Sequence, residues 1–173
     1  EKMITGLECY KRWGDPNTLW DEGKYMAIWE VPEYVWKLIP AIPRRIYCNK
    51  EMIVPLESAF LSIINRKLTE EIKTWDGCFQ VRAIRGYGKK VNQLIDLGHI
   101  EKAMIYMSIH SWGVAIDINA AWNGLGKEPK MSKELVKCFE DAGFEWGGNW
   151  KRKDGMHMQL AYLTQSKILK NVS

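Results

Sequence analysis

The stretch Gly113-Val114-Ala115-Ile116-Asp117-Ile118 constrains the fold more than any other part of the chain. Its apolar residues alternate, so it reads as a β-strand with Val114, Ile116 and Ile118 on one face and Ala115 and Asp117 on the other. A carboxylate set between two isoleucines is at least partly buried, and a buried charge needs a partner. A metal ion supplies one, and an arginine could supply another. The fold therefore has to bring something to the Asp117 face of a strand whose opposite face belongs to the core.

Around this strand the pattern is uneven. The first fifty residues are punctuated by Gly14-Asp15-Pro16-Asn17 and by Pro32, Pro40 and Pro43, which discourage long helices. They read as an irregular arm with extended pieces near Met26–Val31 and Arg45–Cys48. From Pro55 onward Leu56, Phe60, Ile63 and Ile64 fall at helical spacing, giving a helix over about 55–66, with room for a short one near 69–74. Cys78 to Ile84 alternates and reads as a strand closed by Gly86 and Gly88. Residues 89–107 are helix-like with a break at Gly98. Ser132 is an N-cap for a helix through Leu135, Val136 and Phe139 that stops at Gly143. Phe144–Trp150 is a Gly- and Trp-rich turn, Met156 to Tyr162 is a last strand, and a short C-terminal helix follows. The sequence of elements does not repeat as βαβ units. It predicts an α+β domain in which helices pack on a small antiparallel sheet. A chain of 173 residues fits a single catalytic domain over 1–173, with 1–50 as the arm and 55–163 as the core.

Composition excludes several classes. The net charge of +4 comes from scattered Lys and Arg whose densest run is Lys151-Arg152-Lys153, which is no nucleic-acid footprint. No apolar run is long enough to span a membrane. The four cysteines, Cys9, Cys48, Cys78 and Cys138, contain no C-x-x-C pair, which excludes the common cysteine-based zinc spacings and suits free thiols made in a reducing cytoplasm. The start, Glu1-Lys2-Met3-Ile4, has no signal-peptide pattern, although a chain beginning with Glu leaves room for a removed leader. Nine tryptophans serve the core first, with some free to line a groove.

The chemistry gathers at two of the three histidines. His110 stands just before the strand that carries Asp117. Asp154-Gly155-Met156-His157 opens the last strand. If those two strands are neighbours, His110, Asp117 and His157 converge, and two imidazoles with one carboxylate and an open position are the donor set of catalytic rather than structural zinc. Asp154 is placed to take a proton from an attacking water without itself binding the metal. Each part also has an ordinary reading: a hydrogen-bonded histidine before a strand, a simple Asp-Gly turn, a carboxylate paired with arginine. His99 has no acidic partner nearby and reads as structural.

Taken together, these residues resemble a known family. Ser108-Ile109-His110-Ser111-Trp112-Gly113-Val114-Ala115-Ile116-Asp117 is similar to its S-x-H-x-x-G-x-A-x-D signature. Asp154-Gly155-Met156-His157 is similar to its second signature, an acid followed three residues later by His. Gly143-Phe144-Glu145-Trp146-Gly147-Gly148-Asn149-Trp150 is similar to a G-F-x-W-G-G-x-W lead-in found in many members. The family comprises zinc-dependent D-Ala-D-Ala carboxypeptidases, D,D-dipeptidases and the L-alanyl-D-glutamate endopeptidases of phage endolysins.

The resemblance covers about residues 55–163. It implies a single Zn2+ held by His110, Asp117 and His157, Asp154 as catalytic base, and an arginine before the first signature that holds the scissile carbonyl. Arg82 and Arg85 are both candidates for that arginine, with Arg82, inside the expected strand, preferred. It also implies the scaffold shared with the signalling domain of hedgehog proteins. Three departures stand out. The segment between Arg85 and Ser108 is long enough to form a lid or specificity loop, Met158 replaces a common Phe, and the first fifty residues have no counterpart. Arg12-Trp13-Gly14-Asp15-Pro16 is similar to phage sequences, which with the missing signal favours an endolysin made in the cytoplasm and acting on the cell wall, ahead of a secreted enzyme. The expectation is thus a monomeric L-Ala-D-Glu endopeptidase acting on peptidoglycan stem peptides. Its rivals are a D-Ala-D-Ala carboxypeptidase of the same family and a non-catalytic zinc-bearing binding module.

Overall fold

The computed structural model describes residues 3–18 and 20–163. The expected C-terminal helix lies outside them. Among the described residues the fold is α+β, with two small antiparallel sheets. The N-terminal part carries α1 (Gly6–Trp13), the single turn α2 (Glu22–Tyr25), β1 (Met26–Glu30), α3 (Glu33–Leu38) and β2 (Arg45–Asn49). The extended pieces expected here are thus the paired strands β1 and β2, in register from Met26↔Asn49 to Glu30↔Arg45. The helices were not foreseen. Thr5 caps α1 by accepting from the Glu8 amide at 3.2 Å, and Cys9 and Trp13, one turn apart, bury its inner face. This part puts Trp13, Trp29, Val35 and Ile39 into the common core.

The rest consists of α4 (Ile53–Asn65), β3 (Trp75–Gly77), α5 (Gly88–Asp96), α6 (Ile100–Met104), β4 (Ala115–Ile118), α7 (Lys133–Asp141), β5 (Phe144–Trp146) and β6 (His157–Leu160). Short 3-10 turns cover 50–52, 69–71, 109–112, 120–122 and 147–149. The helix expected over 55–66 is α4, which buries Leu56, Ala59, Phe60 and Ile63 at helical spacing and packs on α7. Ser132 caps α7 through a 3.0 Å bond from the Leu135 amide, and Gly143, at φ 102°, ends it. Phe139 of α7 is wholly buried against Phe144, and truncating it to alanine would cost about 3–5 kcal/mol.

The second sheet runs β3-β4-β6-β5, antiparallel throughout. Ile116 pairs with Met158 and Asp117 with His157. Residues opposite one another in an antiparallel pair share a face. One face therefore carries Ile116 and Met158 into the core, and the other carries Asp117, His157 and Gln159.

Two sequence expectations need correction. The strand predicted over 78–84 is not one, because the strand beside β4 is Trp75–Gly77, earlier in the chain. Residues 78–84 run against 106–111, which are mostly turn, and meet them in a single antiparallel bridge between Ala83 and Met107. The seam holds through Ile84 N to Tyr106 O at 2.8 Å and Ser108 N to Arg82 O at 3.0 Å. At Arg82 the Ser111 hydroxyl takes the place of a ladder neighbour, accepting from the Arg82 amide and donating to its carbonyl, both at 3.1 Å. Second, Phe144–Trp150 is not only a turn, since its first three residues form the edge strand β5. Three residues are too few to show alternation.

Candidate active site

The site is built on the face of β4 and β6 opposite the one that carries Ile116 and Met158. Asp117 and His157 sit opposite each other on these strands, so the ladder itself sets their separation. His157 Nδ1 lies 3.5 Å from Asp117 Oδ1. His110 comes from the 3-10 turn that precedes β4, with its Nε2 3.2 Å from the same oxygen. The two imidazoles meet edge to face, with centroids 4.9 Å apart.

That turn is possible because of Gly113. It takes a left-handed φ of 70°, and a Cβ there would sit 2.8 Å from the Asn49 amide nitrogen. Trp112 is fully buried and donates to the Gly14 carbonyl at 2.8 Å, so it belongs to the core and not to a groove wall.

Each histidine is oriented from behind. His110 Nδ1 donates to the Cys78 carbonyl at 2.6 Å, and His157 Nε2 donates to Gln159 Oε1 at 2.9 Å. Both bonds leave the other ring nitrogen bare and aimed at Asp117, which is how protein shells prepare imidazoles for a metal. Two of the described buried polar atoms that lack a hydrogen-bond partner are His110 Nε2 and Asp117 Oδ1. Their 3.2 Å contact does not have hydrogen-bond alignment, so both point at a shared space without satisfying each other. One donor atom from each of His110, Asp117 and His157 lies within 4.8 Å of the others, so the three could hold a metal ion. Two neutral nitrogens and one carboxylate oxygen suit zinc.

The electrostatics follow the same geometry. Burial pushes the Asp117 carboxyl up, but the facing imidazoles of His110 and His157 outweigh it and hold the group well below the usual carboxylate range. Burial alone would lower His157; the facing Asp117, with help from Asp154 and Gln159, raises it instead.

Asp154 stands beside the cluster, its Oδ2 4.0 Å from His157 Nδ1. Burial raises its carboxyl; the charge of His157 opposes this, Asp117 adds to the rise, and His110 and Arg82 lower it less. The Gly- and Trp-rich lead-in explains its placement. The Asp154 amide donates to the Gly147 carbonyl at 2.9 Å, and a Cβ on Gly147 would come within 2.5 Å of the Asp154 carbonyl oxygen. Gly148 lies under the Trp146 ring, and the Trp146 indole donates to Gly155 O at 2.8 Å. The glycines and Trp146 thus form a cradle for the Asp154–His157 loop.

A cleft of about 310 Å³ opens over these groups, lined by Asp117, Asp154, His157 and Trp150 and by Arg82, Arg85 and Arg152. Arg82 is half-buried and its Nε has no partner among the described residues, whereas Arg85 is exposed at the following turn. Burial lowers the Arg82 guanidinium, as does the charge of Arg85, while Asp117 and Asp154 oppose the shift. His99 is exposed and is not part of the cluster.

Residues 101–160, a span that holds His110, Asp117, Asp154 and His157, match a family model described as D-alanyl-D-alanine carboxypeptidase. The match supports a peptidase. Arg82 and Arg85 lie before the span matched by the carboxypeptidase model, so only the geometry of the cleft speaks for them. No curated protein and no solved structure matches the chain.

Sequence reasoning missed Gln159 and the Cys78 carbonyl. Gln159 had a signal, since it stands two residues after His157 and so shares its face of the strand. A backbone carbonyl has none.

Proposed function

We propose that the protein is a zinc peptidase that hydrolyses the stem peptides of bacterial peptidoglycan, as an L-Ala-D-Glu endopeptidase of phage endolysin type. The observation that carries the reading is the meeting of His110 Nε2, Asp117 Oδ1 and His157 Nδ1 beside a separate half-buried carboxylate, Asp154. His110, Asp117 and His157 would hold the zinc. When bound there, zinc supplies Lewis-acid polarisation of the scissile carbonyl and makes water acidic enough to lose a proton near pH ~7.

The chain's own groups supply the rest. Asp154, raised by burial, is a stronger base than an exposed carboxylate once ionised, and it is free of the donor triad. It accepts the proton of the attacking water and returns one to the departing amine. The Arg82 guanidinium, held half-buried in the cleft, steadies the negative charge that develops on the carbonyl oxygen. Gln159 and the Cys78 carbonyl keep both imidazoles in the tautomers this arrangement requires. Trp150, whose ring centroid lies 5.2 Å from that of His157, walls one side.

A carboxypeptidase removing terminal D-Ala is the second reading, favoured by the description of the matching family. We further propose that the protein acts as a monomer, is made in the cytoplasm and reaches the wall at lysis. Among the described residues no helix is long and apolar enough to cross a membrane.

Mass spectrometry of purified peptidoglycan digested with and without a chelator tests the reading. Fragments broken between L-Ala and D-Glu, absent with chelator, are the expected result. Loss of terminal D-Ala alone would make the protein a carboxypeptidase. No chelator-sensitive product from several wall types would leave only the binding-module reading.

A further inference from the structure

The cleft is lined by three guanidinium groups, those of half-buried Arg82 and of exposed Arg85 and Arg152, and one catalytic arginine accounts for only one of them. Among the described residues no carboxylate forms an ion pair with any of the three, whereas the neighbouring Lys153 is paired with Glu128 at 3.3 Å. The Arg152 side chain is exposed, yet it is tied across the mouth of the cleft by donating from Nη1 to the Arg85 carbonyl at 2.9 Å. That bond joins the loop carrying Asp154 to the turn carrying Arg85, and a guanidinium has further N–H donors to offer a ligand.

The geometry points to Arg152 as a specificity residue that binds a free carboxylate of the substrate, with Arg85 beside it. The inference rests on the peptidase reading above. Its chemistry fits both candidate bonds, because D-Glu in a stem peptide and a terminal D-Ala each leave as an amine that bears a free α-carboxylate. That group lies on the leaving side of the scissile bond. Asp154, which returns a proton to the leaving amine, is two residues from Arg152. A carboxylate on that amine's own α-carbon would be seated by the cation that shares Asp154's loop. Arg82 stays with the carbonyl, deeper in the cleft.

The test compares substrates and variants together in the zinc-loaded full chain. One pair of synthetic stem peptides carries D-Glu with its α-carboxyl free or as the carboxamide. A second pair carries terminal D-Ala-D-Ala with its carboxyl free or amidated. Whichever pair the wild type cleaves, the free carboxylate should be preferred about tenfold or more, mainly through KM. In Arg152→Gln this preference should fall to within about twofold, and Arg152→Lys should restore part of it. Calorimetric binding of the same peptides to the Asp154→Ala background should show the same loss, independent of turnover. The pair that responds identifies which carboxylate is read. A preference unchanged in Arg152→Gln, or absent in the wild type, would overturn the inference while leaving the peptidase reading intact. Cleavage of none of the peptides by the wild type would sink the peptidase reading, and this inference with it.

Discussion

The two sides of the cleft are built differently. On one side Asp117 and His157 face each other across paired strands, and His110 is pinned by a carbonyl and by a turn that only glycine at 113 allows. On the other side Arg82, Arg85 and Arg152 sit on a seam, a turn and a loop, with a single bond from Arg152 to the Arg85 carbonyl linking the last two. Donor atoms that must meet at one point need positions fixed to a fraction of an ångström, and a β-ladder provides that. Groups that meet a substrate of varying shape belong on loops. The rigid side falls within the span that matches the carboxypeptidase family, apart from the Cys78 carbonyl behind His110, and Arg82 and Arg85 on the other side fall outside it.

Changes on the rigid side should do the most damage. Asp117→Ala removes the oxygen both histidines face, so zinc measured by atomic emission should drop from stoichiometric to trace and turnover should vanish with it. Asp154→Ala should keep zinc and fold but lower kcat by about 10²–10⁴-fold. Wild-type rates in that variant would break the division of labour between the triad and its neighbour. Arg82→Ala should cost about 10²–10³-fold in kcat, and Arg85→Ala distinctly less. Equal losses would show that depth in the cleft does not separate the two arginines. Gln159→Ala, which frees His157 Nε2, should weaken zinc about 10–100-fold in a chelator competition while leaving the zinc-saturated rate nearly intact.

The pH profile sharpens the contrast. Burial raises the Asp154 carboxyl, so its basic form is reached only above the ordinary carboxylate range. Turnover should therefore fall as pH drops through that raised value, giving an acid limb less acidic than a free aspartate would. The linkage runs the other way for folding. A raised folded pKa means that Asp154 contributes most to stability below its unfolded value, and the contribution is lost as pH rises through the folded one. A thermal-melt series on the metal-free protein should show Asp154→Asn relieving part of that loss.

The sequence revealed the rigid side because its signals are local. Asp117 betrays itself as a carboxylate set between two isoleucines of a strand, and His157 by following an acidic turn at the mouth of a strand. Their convergence needed only that β4 and β6 be neighbours. Arg82 was harder to place. The alternation of 78–84 is real, but its partner is the 106–111 turn, and nothing local says whether an extended segment will find a strand or a turn to bond with. The N-terminal helices were missed for a related reason. Thr5 and Glu8 do form an N-terminal capping signal, but α1 has only eight residues and α3 six, and their stability comes from burying Trp13 and Val35 in a core assembled from distant segments. Arg152 lay in a basic run that reads as a solvated loop until the cleft beneath it is seen.

X-ray absorption at the zinc edge of the metal-loaded protein tests the central claim most directly. The account predicts a first shell of nitrogen and oxygen alone at about 2.0–2.2 Å, with outer-shell scattering from two imidazoles that falls to one in His157→Ala. A sulfur neighbour, which would bring in a cysteine such as Cys78, or a spectrum unchanged in His157→Ala, would contradict it.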